Sequence, residues 1–517
     1  MRIIFFLLLC IGLSVAISSF TTNKIDIVKT NAGLIAGTVN NTGDVHIYKG
    51  IPFAAPPVGN LRWKAPQPVA PWTGVKQCTT FGASAMQSSP APFGPWTEEY
   101  LIPKEPISED CLYLNVWTKA QSTKEKLPVI VWIYGGGFNS GGSGCAVYDG
   151  EAMAKKGIVF VSINYRVGVF GFFAHPELTK ESANGASGNY GLMDQIAALQ
   201  WVQQNIAQFG GDADNVTIAG QSAGSMSVNC LVASPLAKGL FTKAIAESGA
   251  SFVPGPFRSS TSLKQAEAVG EKIAQTFKAN SIAALRNITA ADLLTNAQGS
   301  GPIVDGYVLP ATIAAIFAAN KENKVALLTG WNEDEGLIFG PLKNAEEFKQ
   351  QATADYGTEA NTFLQFYPAT TDAEAAATQI KVSRDMIFGV QNYTWANVQS
   401  NKNNAPVYVY RFTRKLPATG EYIKYGAFHT GEVAYAYDNL KYVHRAWLPV
   451  DEQLATIMSS YWANFAATGN PNGKGLPEWK AFDTKTNEVM ILGEKCASAA
   501  LPDKAALDFM YHHLKGK

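Results

Sequence analysis

The chain runs to 517 residues, 47% of them hydrophobic and 16% charged, which supplies a large core and shows no compositional sign of disorder. Forty-two Lys plus Arg balance forty-two Asp plus Glu, so the formal net charge is zero and the long-range field that draws nucleic acid or an anionic membrane surface is absent. A small or neutral partner is expected, and no nucleic acid.

At the start of the chain, Arg2, an apolar run from Ile3 to Val15 and the small residues Ser14 and Ala16 have the layout of a secretory signal peptide over residues 1–16, which predicts a secreted or periplasmic protein. The run is too short to span a bilayer comfortably. A lipid anchor at Cys10 is disfavoured, because Leu9 before it is not small and the cysteine lies inside the hydrophobic stretch. Nothing later supplies an uninterrupted apolar stretch of spanning length, so no stable membrane anchor is expected. Residues 17–517 show no repeat, low-complexity segment or linker and read as one domain.

Beyond the leader five cysteines remain, namely Cys78, Cys111, Cys145, Cys230 and Cys496. An oxidising compartment permits disulfides among them, and the odd number leaves at least one unpaired or paired between chains. There is no Cys-x-x-Cys and no His-Glu-x-x-His, so neither a metal nor another cofactor is expected.

Short runs rich in Val and Ile then recur along the chain: Val129 to Tyr134, Ile158 to Asn164, Val216 to Ala219, Ala244 to Ala246, Val325 to Thr329 and Val407 to Phe412. Runs of this kind form buried parallel strands. Between them lies Leu192 to Phe209, where Ile196, Leu199, Val202 and Ile206 recur at helical spacing and Gly210-Gly211 ends the helix. Strand alternating with helix predicts an α/β fold, a large mostly parallel sheet with helices on both faces. The polar patches Lys119 to Lys126 and Gln399 to Asn404 read as surface loops.

Two of these strands end in chemistry. After Val129 to Ile133 comes Tyr134-Gly135-Gly136-Gly137-Phe138, a loop whose amides can point inward unobstructed by side chains. After Val216 to Ala219 comes Gly220-Gln221-Ser222-Ala223-Gly224, followed by the helix-compatible run Ser225 to Leu231. Strand, Gly-x-Ser-x-Gly and helix together make a nucleophile elbow, with the serine hydroxyl held at a helix N-terminus. The pair points to acyl transfer, with Gly136, Gly137 and Ala223 as backbone donors to an oxyanion and Ser222 as nucleophile.

A serine nucleophile needs a base, and the histidines are His46, His175, His429, His444, His512 and His513. Folds built on such an elbow run Ser, acid, His along the chain, which discards the first two. His512 and His513 lie in a tail that reads as solvated, and His444 reads as structural. His429 sits between glycines in Gly426-Ala427-Phe428-His429-Thr430-Gly431, a loop suited to reach into a site. For the acid, Glu333, Asp334 and Glu335 all follow the strand ending near Thr329, and spacing does not choose among them.

With these motifs in view, the chain resembles the type-B carboxylesterase and cholinesterase family of α/β-hydrolases from about Val28 to about Leu492. The resemblance is carried by the elbow, the glycine loop, Gly50-Ile51-Pro52-Phe53-Ala54-Ala55-Pro56-Pro57-Val58-Gly59, Ser108-Glu109-Asp110-Cys111-Leu112-Tyr113-Leu114-Asn115-Val116, Asn164-Tyr165-Arg166-Val167-Gly168 and Gly188-Asn189-Tyr190-Gly191-Leu192-Met193-Asp194-Gln195. It implies a serine carboxylesterase with Glu335 as acid and His429 as base. It also implies a disulfide between Cys78 and Cys111, ion pairs of Arg62 with Glu109 and of Arg166 with Asp194, and a supporting role for Ser248 near the acid and base.

The segment between Cys78 and Cys111 carries Pro90, Pro92, Pro95 and Trp96 and shows no clear counterpart to the tryptophan on which cholinesterases stack a quaternary ammonium. This argues against choline esters and for small-molecule esters of broader type. Two other readings differ in class. A lipase would act on longer acyl chains, and a non-catalytic binding or adhesion member would keep the fold and lose the nucleophile; the presence of Ser222, Glu335 and His429 disfavours the latter. Sequons stand at Asn40, Asn215, Asn287 and Asn392.

Overall fold

The computed structural model describes residues 27–104, 106–255, 261–338, 340–402 and 405–516. The leader of residues 1–16 lies outside them. Among the described residues no helix is long and apolar enough to cross a membrane.

Eleven strands form the central sheet. In chain order they are β1 (Thr38–Val39), β2 (His46–Pro52), β3 (Tyr113–Thr118), β4 (Leu127–Ile133), β5 (Val159–Ile163), β6 (Gly211–Gln221), β7 (Lys243–Glu247), β8 (Ala326–Asn332), β9 (Val407–Phe412), β10 (Glu488–Leu492) and β11 (Ala497–Ala500). Across the sheet they lie in the order β11-β10-β9-β8-β7-β6-β4-β5-β3-β2-β1. Pairing is parallel from β5 through β10 and antiparallel at both margins. The sheet is thus the mostly parallel one that alternating strands and helices predict. Its central strands are Val, Ile and Ala runs with no exposed side, as at Val129 to Ile133, because helices cover both faces.

From β4 the chain goes outward to β5 and then returns past β4 to β6. The carboxyl ends of β4 and β6 therefore flank a crevice at which successive connections leave in opposite directions, the place where such sheets bind ligands. The helices that matter here are α1 (Tyr190–Asn205), α2 (Ala223–Ala233), α3 (Val390–Lys402), α4 (Pro449–Thr468) and α5 (Lys504–Lys515). The helix expected to end at Phe209 passes into a 3₁₀ turn at Ile206–Phe209 and stops at Gly210, whose φ of +75° suits glycine.

Three local expectations differ from the structure. Gln399 to Lys402 complete α3 instead of forming a loop, and residues 403 and 404 lie outside the described residues. The polar stretch is misleading because buried Gln399 is satisfied internally, accepting from Trp395 Nε1 at 2.8 Å and donating to the Val325 carbonyl at 2.7 Å. His513 is not a solvated tail residue: α5 brings it onto the ring of Tyr356, 4.3 Å between centroids, with Nδ1 3.1 Å from Glu359. His444, read as structural, stands exposed at the surface.

Candidate active site

Each crevice strand ends in one of the motifs. β6 stops at Gln221 and α2 starts at Ala223, leaving Ser222 alone in the turn at φ 58° and ψ −124°, a strained conformation for a residue with a side chain. The glycines around it answer to crowding. A Cβ on Gly220 would stand 2.5 Å from the Gly224 carbonyl carbon, and one on Gly224 would stand 2.0 Å from the Ile133 carbonyl oxygen. The turn is closed by the Ser222 N–H, which donates to the Glu247 carbonyl on β7 at 2.8 Å.

Beyond β4 the glycine loop presses against that serine. A Cβ on Gly135 would lie 2.9 Å from Ser222 Cβ, so only glycine lets the two backbones meet. Gly136 and Gly137 follow at φ +107° and +63° and are open to solvent. The Gly136 carbonyl is occupied by the Asn139 and Ser140 amides at 3.0 and 3.1 Å, while among the described residues neither the Gly136 nor the Gly137 N–H donates to a backbone carbonyl. The Ala223 N–H opens α2 and has no acceptor within the helix. Gly135 brings the loop that carries the first two against Ser222, and Ala223 follows Ser222 directly.

The three neighbouring carboxylates have three different partners. Glu333 joins Arg384 at 3.0 Å and Arg411 at 2.9 Å; burial alone would raise its carboxyl, but these guanidinium groups hold it below its ordinary value. Asp334 accepts from the Ala427 N–H at 2.9 Å. Glu335 is buried, accepts the Asn332 N–H at 2.8 Å on Oε1, and stands 2.9 Å from His429 Nδ1 with Oε2. With Nδ1 donating to a buried carboxylate, Nε2 is the nitrogen free to take a proton.

His429 is walled by aromatic rings. Phe388 lies flat on it, centroids 4.3 Å apart and 16° between planes, and Trp96 meets it edge-on at 6.5 Å. Gln221 Nε2 is 3.3 Å from each ring nitrogen. Ser222 Oγ makes no hydrogen bond among the described residues, so the serine and the imidazole share the crevice without being bonded to each other; catalytic contacts of this kind often tighten only with substrate bound. Trp96, Phe388, Gln221 and Thr430 carried no local signal in the sequence, since each reaches His429 from a separate segment or from a position that pattern does not weigh.

Behind the site two more carboxyl groups are buried. Glu247 accepts from Trp462 Nε1 at 2.8 Å and from the Tyr437 hydroxyl at 2.9 Å, yet burial pushes its carboxyl up to about 7. Glu432 is raised well above the ordinary carboxylate range by burial and then by the charges of Glu247 and Glu335. The Asn332 amide bonds both Glu432 and the Phe428 carbonyl, the latter at 2.9 Å.

Arg62 meets Glu109 through two bonds, 2.7 Å from Nε and 2.5 Å from Nη2. Arg166 meets Asp194 in the same fork at 2.8 and 2.7 Å, fully buried. Ser248 turns at φ 56° with its N–H on the Gly330 carbonyl at 2.9 Å, and its hydroxyl is buried without a partner, so it does not bond Glu335 or His429. The expected bridge between Cys78 and Cys111 is not formed: both are buried free thiols, as is Cys145. Burial pushes the Cys78 thiol up to about 11 and raises Cys111 further. Among the described residues no group of His, Cys, Asp and Glu is arranged to hold a metal ion.

Similarity to known proteins shows the family. The chain is 37% identical over 495 residues to a fumonisin B1 esterase of Sphingopyxis macrogoltabida, covering 91% of this chain and 86% of that one. It is 38% identical over 487 residues to the para-nitrobenzyl esterase of Bacillus subtilis (strain 168), covering 90% and 94%. A solved PNB esterase structure superposes with a TM-score of 0.80 at 33% identity, covering 94% of this chain and 99% of that chain. Residues 24–510 match the model of the carboxylesterase family, and the chain belongs to that family, an α/β-hydrolase acting on carboxylic esters.

Proposed function

We propose that this protein is an exported serine esterase that works through an acyl-enzyme on Ser222. Ser222 Oγ attacks the ester carbonyl as His429 Nε2 takes its proton, and the carbonyl electrons move onto the oxygen, which the Gly136, Gly137 and Ala223 amides receive. The tetrahedral centre collapses, its bond to the alcohol oxygen breaks, and His429 returns the proton to that alcohol. Water then attacks the acyl-enzyme with the same proton transfers, releasing the acid and restoring Ser222. Glu335 stabilises the imidazolium in both halves and is not itself protonated.

The observation that carries this reading is the His429 Nδ1 to Glu335 Oε2 contact at 2.9 Å, made by two buried side chains beside the strained serine turn. It leaves Nε2 as the proton acceptor for a serine set between a strand end and a helix start. Substrates are small esters, and the aromatic rings of Trp96 and Phe388 favour apolar groups near the base.

The test is covalent labelling with a small organophosphonate, followed by peptide mapping and by hydrolysis of p-nitrophenyl esters of increasing acyl length. Ser222 is expected to carry the label, and Ser222→Ala to lose both label and turnover while remaining folded. A label on another serine, or a Ser222→Ala variant with most of its activity, overturns the assignment. Export with removal of residues 1–16 rests on the leader pattern alone, and the intact mass of protein recovered outside the producing cell checks it; a chain still bearing Met1 counts against it.

A further inference from the structure

Thr430, the residue after His429, sits in left-handed backbone at φ +81°. A β-branched residue enters that region only under strain of about 1–3 kcal/mol, and glycine would hold the same turn without it. What glycine lacks is the hydroxyl. The Thr430 side chain is buried, and its Oγ1 accepts from Trp96 Nε1 at 3.2 Å and donates to Gln221 Oε1 at 3.4 Å. Gln221 in turn points Nε2 at the imidazole, 3.3 Å from both ring nitrogens. A single thread of hydrogen bonds therefore runs from the aromatic wall through Thr430 and the residue before the nucleophile to the base.

We infer that Thr430 is a positioning residue for His429, acting through Gln221, and that its strained backbone is retained for its hydroxyl; this rests on the roles proposed above for Ser222 and His429. Glu335 fixes only one corner of the imidazole, and Phe388 covers one face. The other face is left to Gln221, whose Nε2, equidistant from the two ring nitrogens, stands over the ring and leaves the lone pair of His429 Nε2 free. Because Thr430 occupies the amide oxygen, Gln221 presents its N–H groups to the ring. A reversed amide would set an oxygen lone pair against the electron-rich face of the imidazole and push the ring off its line to Ser222. Trp96 completes the arrangement by taking the second side of the Thr430 hydroxyl, which fixes where its proton points.

The test compares Thr430→Gly, Thr430→Val and Thr430→Ser by melting temperature and by kcat and KM on one p-nitrophenyl ester. Thr430→Gly is expected to melt no lower than the wild type, since it removes strain, yet to lose about tenfold in kcat with KM changed by less than about twofold. That loss is a modest part of the roughly 10²–10⁴-fold that a positioned base supplies. Thr430→Val, which keeps the shape and lacks the hydroxyl, should lose kcat alike, and Thr430→Ser should restore it to within about twofold. Wild-type kcat in Thr430→Gly, an equal loss in Thr430→Ser, or a loss confined to KM overturns the inference. Phosphonate labelling keeps the two levels apart. An unlabelled Ser222 in the wild type sinks the nucleophile assignment and this inference with it, whereas labelled protein with unchanged kcat in Thr430→Gly sinks this inference alone.

Discussion

Asp334 and Ala427 exchange two hydrogen bonds: the Asp334 N–H donates to the Ala427 carbonyl at 3.1 Å, and Asp334 Oδ2 accepts the Ala427 N–H at 2.9 Å. The turn that carries Glu335 is thereby fastened to the loop that carries His429, two residues further along. The approach is so close that a Cβ on Gly426 would stand 2.2 Å from Asp334 Oδ2.

Removing the Asp334 carboxylate should loosen both halves at once. Asp334→Ala leaves the Ala427 N–H without its acceptor, a cost of about 1–3 kcal/mol, and lets the loop drift from the acid. We expect a lower melting temperature together with a loss of kcat, read by thermal unfolding and ester hydrolysis. A variant that melts as the wild type does, with full turnover, would show that the double bond positions nothing.

The neighbouring acids should separate by what they touch. Glu335→Gln loses the charge that stabilises the His429 imidazolium and should cost on the order of 10⁴ in kcat with little change in melting. Glu333→Gln should act the other way, lowering the melting temperature modestly, because Glu333 bridges Arg384 and Arg411 from a partly exposed position and both guanidinium groups keep Asp503. Its kcat, measured below its melting range, should remain within about tenfold of wild type. Equal kinetic losses for the two variants would remove the distinction.

At the elbow, Gly224→Ala is expected to be among the most damaging single methyl additions in the chain. Its Cβ would stand 2.0 Å from the Ile133 carbonyl oxygen, a backbone atom of β4 that has nowhere to go. Strand and helix must part, at more than about 2 kcal/mol, and the oxyanion donors move away from Ser222. Phosphonate labelling and thermal unfolding of Gly224→Ala check this; normal labelling at normal stability would contradict it.

Stability should also depend on pH through Glu247. Its carboxyl is raised from an ordinary 4.5 to about 7 by burial, so the folded state holds a proton that the unfolded state releases. The contribution is fully present below about 4.5 and is lost as pH rises through about 7. Glu432 is raised in the same direction. Melting temperature should fall between pH 5 and pH 8, and Glu247→Gln, which keeps an acceptor for Trp462 and Tyr437, should flatten that fall. An unchanged slope in the variant would mean that Glu247 is ionised throughout.

The strands and the two motif loops were legible in the sequence because their causes are local. Buried parallel strands are mostly apolar, and β4, β5, β9 and the Val216 to Ala219 part of β6 read so directly. Gly135, Gly220 and Gly224 mark places where backbones touch, and such contact leaves its trace as glycine wherever it occurs. The choice among Glu333, Asp334 and Glu335 had no local cause. Three successive residues in a turn point in three directions, and only the packing of Arg384, Ala427 and His429 around them gives each its partner. The same holds for Trp96, Phe388 and Thr430, whose meaning lies in contacts between separate segments, 334 residues apart for Trp96 and Thr430. Gln399, misread as a loop residue, belongs with them: a buried amide is made tolerable by neighbours that no sequence window contains.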